Sequence, residues 1–310
     1  MLSQDWHELP PRRTLIVEFV AQNKLEEFLR FWPPNEKNFM SVTYNASVLF
    51  VYPHIDAQAV ARVPGLLNWT FVQDISHGHK FCQGPLRMYH TPLGTEILAQ
   101  AIITHFPAYF METPQVPTCS VRGAHPLTYA LYTAVWTYHL IQLPIVSKYD
   151  FFFKVDTDID FITPIGLDVG EEMESRGCSI FHTHVNGATD DGDDCEMESI
   201  AALEAFTQKT GIKAVSFEKR WCNFKNKRKN AGVSFYSNFL GYSTKVILNK
   251  DVVKLSTFLY EEWDRGYFLH RWGDQAAWPL FACLVLDMDN LTNSNVCDFS
   301  RLRNSVFRHY

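Results

Sequence analysis

The sequence predicts an α/β fold, in which helices cover a mostly parallel central sheet on both faces. Short apolar segments alternate along the chain with segments whose apolar residues recur at helical spacing, as expected of an α/β protein. Residues 149–155, YDFFFKV, are apolar at nearly every position, as in a strand covered on both faces. No repeat and no low-complexity linker divides the 310 residues, so we expect a single domain over residues 1–310.

The first third of the chain is predicted to contain, in order, a strand at 14–21, a helix at 23–32 ending at Pro33-Pro34, a strand at 47–53, a short helical stretch near 56–66 and a helix within 84–106. The rest is predicted to contain a helix at 125–142, strands at 149–155 and 177–185, loop-like segments at 186–198 and 219–230, strands within 232–244, and helices at 250–266 and 273–287.

Charge and hydropathy exclude several classes of protein. The net charge of -6 and the pI near 6.0 provide no general field for binding nucleic acid or an anionic membrane. The longest apolar stretch, 130–146, contains His139, Gln142 and Pro144, so it is too short and too polar for a transmembrane segment. The first residues lack the apolar region of a signal peptide.

The compartment is left open by the cysteines and glycosylation motifs. Seven cysteines occur without a Cys-x-x-Cys pair, which argues against a zinc ribbon. Three N-x-[ST] sequons, at Asn45, Asn68 and Asn290, weakly favour secretion because chance supplies about one or two in a chain of this length.

The acidic segment after the central strand is the first candidate site. Ligands of open α/β sheets bind beyond the carboxyl ends of the strands, where Asp156 and Asp158 are expected. In a regular strand both would point to the same face, and at ~4 Å they would repel by about 4 kcal/mol at an effective dielectric of ~20. A divalent cation would remove that cost, and oxygen ligands suit Mg²⁺ or Mn²⁺. The alternative is a solvated strand end with aspartates as turn formers.

A second candidate site lies in residues 266–280, GYFLHRWGDQAAWPL. Asp274 is expected to cap the helix that follows, and Asp274 and Gln275 at a helix start could also meet sugar hydroxyls. Arg271 beside Trp272 could clamp a phosphate or simply stack on the indole.

Three blocks of the sequence resemble the fungal Golgi α-1,2-mannosyltransferases, GT-A enzymes that use GDP-mannose and Mn²⁺. The blocks are YDFFFKVDTDIDF, VSFYSNFLGYS and RGYFLHRWGDQAAW, in the order that the family has them, and the resemblance covers roughly residues 120–285. It implies a GT-A fold, a Rossmann-like α/β/α sandwich. It also implies residence in the Golgi or the secretory lumen if an anchor is missing from this chain; otherwise a cytoplasmic location is expected.

The resemblance assigns roles to residues of the second and third blocks. Asn238, Trp272 and Gly273 are expected to join Asp156 and Asp158 in binding the donor, and Gln275 is added because it lies at the helix start beside Asp274. Arg271 and Asp274 are expected to be catalytic, the first stabilising the leaving diphosphate and the second orienting sugar hydroxyls. At the position of the family's proposed catalytic glutamate this chain has Leu240, and at the position of its metal-binding histidine it has Trp278. His270 stands where the family has another glutamate, and it could replace the missing histidine as a metal ligand.

The predicted function is transfer of a sugar from a nucleotide-diphosphate sugar, such as GDP-mannose, to a glycan or glycoconjugate hydroxyl. The expected metal ligands are Asp156, Asp158 and His270, with Mn²⁺ or Mg²⁺ bound. Two alternatives remain: a catalytically inactive relative that binds glycan or nucleotide, and a metal-dependent phosphoryl-transfer enzyme, which usually needs a further carboxylate. No nucleic acid partner is expected.

Overall fold

The structure, a computed structural model, describes residues 13–40, 43, 46–104, 106–107, 127–183, 185–186, 194–216, 234–235, 237–263, 267–268, 274–288, 295–302 and 306–309. Within these ranges the side chains of residues 127–130, 185–186, 194–200, 234–235, 274–275 and 309 are not described.

The described residues form thirteen strands: β1 (Thr14–Phe19), β2 (Ala46–Pro53), β3 (Thr70–Ile75), β4 (Cys82–His90), β5 (Glu96–Ile102), β6 (Phe151–Val155), β7 (Ile159–Phe161), β8 (Ile180–His182), β9 (Val185–Asn186), β10 (Ser234–Phe235), β11 (Phe239–Ser243), β12 (Val296–Asp298) and β13 (Phe307–His309). Nine of them make one sheet in the order β12-β8-β11-β6-β1-β2-β5-β4-β3, while β7 pairs with β13 and β9 with β10.

The α-helices in the described residues are Leu25–Asn38, Ala57–Val60, Val63–Leu66, Leu127–Ala134, Val169–Arg176, Asp194–Thr210, Thr244–Ile247, Lys250–Glu261 and Asp274–Val285. A π-helical turn, Val135–His139, continues the fourth of them. Short 3₁₀ turns lie at Gln22–Lys24, His54–Asp56, Leu140–Gln142, Pro144–Lys148 and Ser300–Leu302.

Most strands of the large sheet run in one direction. The four central strands β6, β1, β2 and β5 are mutually parallel, and Thr14 of β1 lies level with Ala46 of β2 and Phe151 of β6. The strands β4 and β11 run antiparallel to their neighbours, so they oppose the other seven. The carboxyl ends of β1, β2 and β6 therefore lie side by side, together with the start of β11. We call this end of the strands the carboxyl edge of the sheet.

Helices cover both faces of the sheet. Successive residues of a strand point to opposite faces, and along β1 Leu15 and Val17 join one buried cluster while Ile16 joins the other. The first cluster is completed by helices Lys250–Glu261 and Asp274–Val285, and the second by helix Leu25–Asn38. These three layers confirm the predicted α/β/α sandwich with a mostly parallel sheet.

The helix predicted within residues 84–106 is wrong, because this segment forms the antiparallel strands β4 and β5. The connection between them turns at Gly94, whose φ of 85° favours glycine, and Thr91 and Thr95 are hydrogen-bonded across it. Every residue of β5 is buried between β2 and β4. A continuous apolar run of this kind is compatible with a buried helix or a buried strand, and only the pairing partners decide between them.

The predicted end of the first helix at Pro33-Pro34 is also wrong, because the helix continues to Asn38 through both prolines. The prolines cannot donate two of the hydrogen bonds within the helix. The second half is held by tertiary contacts instead, since Asn35 is buried and its side chain bonds to two backbone groups of β7. These tertiary contacts outweigh the tendency of the two prolines to end the helix.

None of the helices within the described residues is long and apolar enough to cross a membrane.

Candidate functional site

The two predicted aspartates lie on a tight turn at the carboxyl edge of the sheet. Strand β6 ends at Val155, and the backbone N–H of Ile159 donates to the carbonyl of Asp156 at 3.1 Å to close the turn. The same-face geometry of a regular strand therefore does not apply to Asp156 and Asp158, which follow the strand on a turn. The N–H of Asp156 donates to the carbonyl of Asn238 at 2.9 Å, which brings the start of β11 to the same point.

Asp156 is held by a buried lysine that the sequence analysis did not assign to the site. The Nζ of Lys154 lies 2.9 Å from Oδ1 and 3.1 Å from Oδ2 of Asp156, and it donates to the carbonyl of Ser237 at 2.8 Å. The same Nζ lies 5.0 Å from the ring centroid of Trp136. Since the Lys154 side chain is only 2% exposed, its charge requires this partner, and the pair orients the carboxylate.

Asp158 faces a second lysine, from the loop that follows β1. The Nζ of Lys24 lies 3.8 Å from Oδ2 of Asp158 and 2.7 Å from Oε2 of Glu27. Burial lowers the pKa of Lys24, but the hydrogen bond to Glu27 and the charge of Asp158 raise it by more, so the pKa lies above its ordinary value. Lys24 is therefore cationic at neutral pH, and each aspartate of the turn has a lysine beside it.

A third carboxyl group, that of Glu18, lies at the end of β1 and is 1% exposed. It is level with Phe50 of β2 and Val155 of β6. Burial raises the pKa of Glu18 well above its ordinary value, and the charge of Asp156 raises it further. Its Oε1 has no hydrogen-bond partner among the described residues. Burial and the neighbouring aspartate therefore both favour the protonated form of Glu18.

Replacing Glu18 by glutamine is expected to stabilise the protein more at neutral pH than at acidic pH. A carboxyl whose pKa is raised by folding has no ionisation penalty below its unfolded pKa, near 4.5, and destabilises the fold increasingly as the pH rises toward the folded pKa. Each unit of the shift corresponds to about 1.4 kcal/mol. In EDTA, the melting temperature of Glu18→Gln minus that of the wild type should therefore increase from pH 4.5 to pH 7.5.

The exposed Glu26→Gln variant on the first helix is the control for loss of one carboxyl group. A Glu18→Gln difference that stayed constant or decreased with rising pH would contradict the raised pKa of Glu18.

Side chains of the first helix form hydrogen bonds to the backbone of β7, the strand that follows the turn. The buried Asn35 donates from Nδ2 to the carbonyl of Ile159 at 2.8 Å, and its Oδ1 accepts from the N–H of Phe161 at 2.8 Å. Asn38 donates to the carbonyl of Phe161 as well. The next strand, β7, places Asp160 level with Arg308 of β13, so Asp160 belongs to the β7–β13 pair and not to the turn itself.

A carboxylate fastens the loop between β1 and the first helix. The backbone N–H of Gln22 donates to Oδ2 of Asp56 at 2.8 Å, and Asp56 follows the end of β2. The loop that carries Lys24 is thereby tied to the same edge of the sheet as the aspartate turn.

The structure brings together three of the predicted site residues, Asp156, Asp158 and Asn238. Asp274 and Gln275 open helix Asp274–Val285, as predicted for a helix start, but their side chains are not described. The remaining predicted residues lie outside the described part of the chain, namely His270, Arg271, Trp272 and Gly273.

Two of the three positions where the sequence departs from the mannosyltransferase blocks, Leu240 and Trp278, are core positions. Leu240 is 1% exposed in β11, level with Lys154 and His182. Trp278 is fully buried and stacks on Tyr242 with ring centroids 5.1 Å apart. Neither side chain is available for a ligand, because both contribute to the same apolar cluster.

The described residues fit a divalent cation in their donor chemistry. Asp156 and Asp158 supply carboxylate oxygens from one turn, and their side chains are 27% and 19% exposed. Within the described part of the chain, no three His, Cys, Asp or Glu side chains are grouped so as to hold a metal ion. A cation at this turn would therefore complete its shell with donor oxygens, water or residues outside the described ranges.

Comparison with known proteins identifies the fold. No protein-family model and no curated protein matches the sequence. The solved structure of core-mannan synthase A from Aspergillus fumigatus, in its Mn/GDP form, matches 97% of this chain and 76% of its own with a TM-score of 0.67 at 14% identity. The mannosyltransferase Ktr4p from S. cerevisiae matches 96% of this chain and 70% of its own with a TM-score of 0.62 at 14% identity.

The chain has the GT-A fold. Within this GT-A fold the aspartate turn lies beyond the carboxyl ends of the parallel strands, where ligands of open α/β sheets bind.

Proposed function

We propose that the chain is a glycosyltransferase that moves a sugar from a nucleotide-diphosphate sugar to a hydroxyl acceptor. One observation carries this proposal: two partly exposed aspartates lie on one turn at the carboxyl edge of a GT-A sheet, and each is accompanied by a lysine.

The proposed donor is GDP-mannose and the proposed cation is Mn²⁺, with Mg²⁺ as the alternative. The Aspergillus fumigatus protein was solved in a Mn/GDP form and the S. cerevisiae protein in complex with GDP, which supports a guanosine nucleotide here. Asp156 and Asp158 would hold the cation, with His270 as a further ligand. Bound there, the cation would supply a Lewis acid for the diphosphate leaving group.

The chain's own residues would then hold the donor and the departing diphosphate. Lys24, cationic and 41% exposed beside Asp158, offers a positive charge on the same side of the turn. Asn238 would orient the donor at the start of β11, where its carbonyl already accepts from Asp156. The sequence places further donor contacts at Trp272, Gly273 and Gln275.

Two residues are proposed to be catalytic, Arg271 and Asp274. Arg271 would stabilise the charge that develops on the departing diphosphate. Asp274 would orient hydroxyls of the transferred sugar in a retaining hexosyl transfer, and in an inverting reaction it would act as general base. The acceptor would be a hydroxyl of a glycan or glycoconjugate.

The disulfides support a secretory compartment, which agrees with Golgi residence. Cys178, just before β8, forms a disulfide with Cys297 of β12, with Cα atoms 5.7 Å apart, and Cys283 is also disulfide-bonded. Such bonds form and persist in oxidising compartments and are rare in the cytosol.

The proposal is tested by thermal shift and transfer assays across UDP and GDP sugars, with and without Mn²⁺. Ligand at 100 times its Kd stabilises the native state by about 2.7 kcal/mol, so the best donor is the one that raises the melting temperature most. We expect GDP-mannose with Mn²⁺ to give the largest shift and to support transfer to mannoside acceptors. No shift with any nucleotide sugar would refute the proposal.

A second candidate is a catalytically inactive nucleotide-binding relative. The burial of Leu240 and Trp278 in the core favours it, because the groups that the mannosyltransferase blocks carry at these positions are absent. This candidate predicts a thermal shift with GDP and Mn²⁺ but neither transfer nor donor hydrolysis. Measuring product formation in the samples that show a shift separates the two.

A further inference from the structure

The sequon Asn68-Trp69-Thr70 lies at the turn between helix Val63–Leu66 and strand β3. Asn68 is exposed and has a φ of 54°, a left-handed conformation that asparagine tolerates better than most residues. The turn is ordered by backbone bonds, since the N–H of Trp69 donates to the carbonyl of Pro64 at 2.8 Å.

The three residues of the sequon alternate between solvent and core. Asn68 and Thr70 are exposed, whereas Trp69 is 7% exposed and packs in an aromatic cluster. The ring centroid of Trp69 lies 5.2 Å from that of Trp32 and 5.6 Å from that of Phe50. The buried indole anchors the turn while the side-chain amide of Asn68 points outward, so the fold has room for a large substituent on that amide.

A substituent at Asn68 would lie beside an apolar sheet edge. Strand β3 is the last strand of the sheet, so one side of its backbone is unpaired among the described strands. Around the turn, Leu66 is 54%, Phe71 54% and Val72 43% exposed. An exposed apolar edge strand favours association with other chains, and proteins with such edges usually protect them.

The disulfides described above point to the type of compartment in which asparagine residues of sequons are glycosylated. Of the other two sequons, Asn45 and Asn290 lie outside the described residues. Asn68 is therefore the sequon whose surroundings can be evaluated.

We propose that Asn68 is an N-glycosylation site whose glycan covers the β3 edge. The acceptor nitrogen is Nδ2 of Asn68, and the donor is an oligosaccharide carried on a lipid diphosphate. Nδ2 forms a bond to the anomeric carbon of the oligosaccharide while the bond from that carbon to the diphosphate oxygen breaks. The amide loses one proton, and the lipid diphosphate leaves. This proposal is independent of the proposed transferase activity.

For the test, the chain is secreted from insect cells and its N-glycans are removed with peptide-N-glycosidase in ¹⁸O water. This enzyme converts each glycosylated asparagine to ¹⁸O-labelled aspartate, which peptide mapping then locates. We expect ¹⁸O-labelled aspartate at position 68 in the wild type. Thr70→Ser keeps the sequon and is the matched control, so it should keep the label. Asn68→Gln and Thr70→Val should lose it, the latter because valine has the shape of threonine without the hydroxyl.

Label at Asn45 or Asn290 with none at Asn68 would overturn the proposal, and so would an unlabelled chain whose disulfides have formed. Whether the glycan covers the β3 edge is tested separately, by measuring self-association with light scattering. Unglycosylated Asn68→Gln and Thr70→Val should associate at concentrations where the wild type does not, and equal behaviour of the three would overturn the covering role.

Discussion

Replacing Asp158 by asparagine is expected to lower the rate of sugar transfer by about 10²–10³-fold, the cost of removing one group that stabilises developing charge at an active site. Asp158 lies on the turn at the end of β6, is 19% exposed and faces Lys24. Asparagine keeps the shape but removes the charge that would hold a cation. Because Asp158 is partly exposed and its lysine is 3.8 Å away, the fold should be little affected.

The matched control is Asp160→Asn, two residues further along. Asp160 is also partly exposed but belongs to β7, level with Arg308. We expect its transfer rate to stay within about threefold of the wild type, because surface ion pairs contribute little. The measurement is kcat and KM for the donor as a function of Mn²⁺ concentration. Equal activity of Asp158→Asn and Asp160→Asn would show that the turn does not bind the cation.

Replacing Asn35 by alanine is expected to lower the free energy of unfolding by about 2–5 kcal/mol. The Asn35 side chain is 2% exposed and bonds to the carbonyl of Ile159 and the N–H of Phe161. Alanine leaves both backbone groups buried and unsatisfied, and each costs about 1–3 kcal/mol. Since both groups belong to β7, which directly follows the aspartate turn, donor affinity should fall as well.

Asn38→Ala is the comparison for this variant, because Asn38 is half-buried and donates only to the carbonyl of Phe161. We expect a loss of about 1 kcal/mol for it. Urea unfolding of both variants gives the two values. If Asn35→Ala lowered the free energy of unfolding no more than Asn38→Ala does, the hydrogen bonds of Asn35 to β7 would not stabilise the segment that follows the turn.

The elements that could be predicted are those whose pattern is local. Strands β1, β2 and β6 are runs of apolar residues bounded by turn signals, and helix Lys250–Glu261 has an apolar face at helical spacing. The segment 84–106 could not be assigned, because a run such as that of β5 suits a buried helix and a buried strand equally. Its pairing with β2, which is remote in the sequence, makes it a strand.

The aspartates of the site were predictable for the same reason, since both follow an apolar strand directly. The groups that surround them were not. Lys154 and Glu18 each lie in an apolar strand, and no local pattern connects either of them with the site. They come together only because β1 and β6 pair in the sheet. Asn35 and Ile159 are 124 residues apart in the chain, so no local pattern could connect them.

By itself the sequence determined strands β1, β2 and β6, the position of Asp156 and Asp158 beyond β6, and the helix start at Asp274, because each depends on neighbours within a few residues. Only the tertiary structure decided that the aspartates lie on a turn, that Lys154 and Lys24 flank them, that burial raises the pKa of Glu18 and that Asn35 bonds to β7. Those properties depend on burial and on distances between remote segments, and both arise only when the chain has folded.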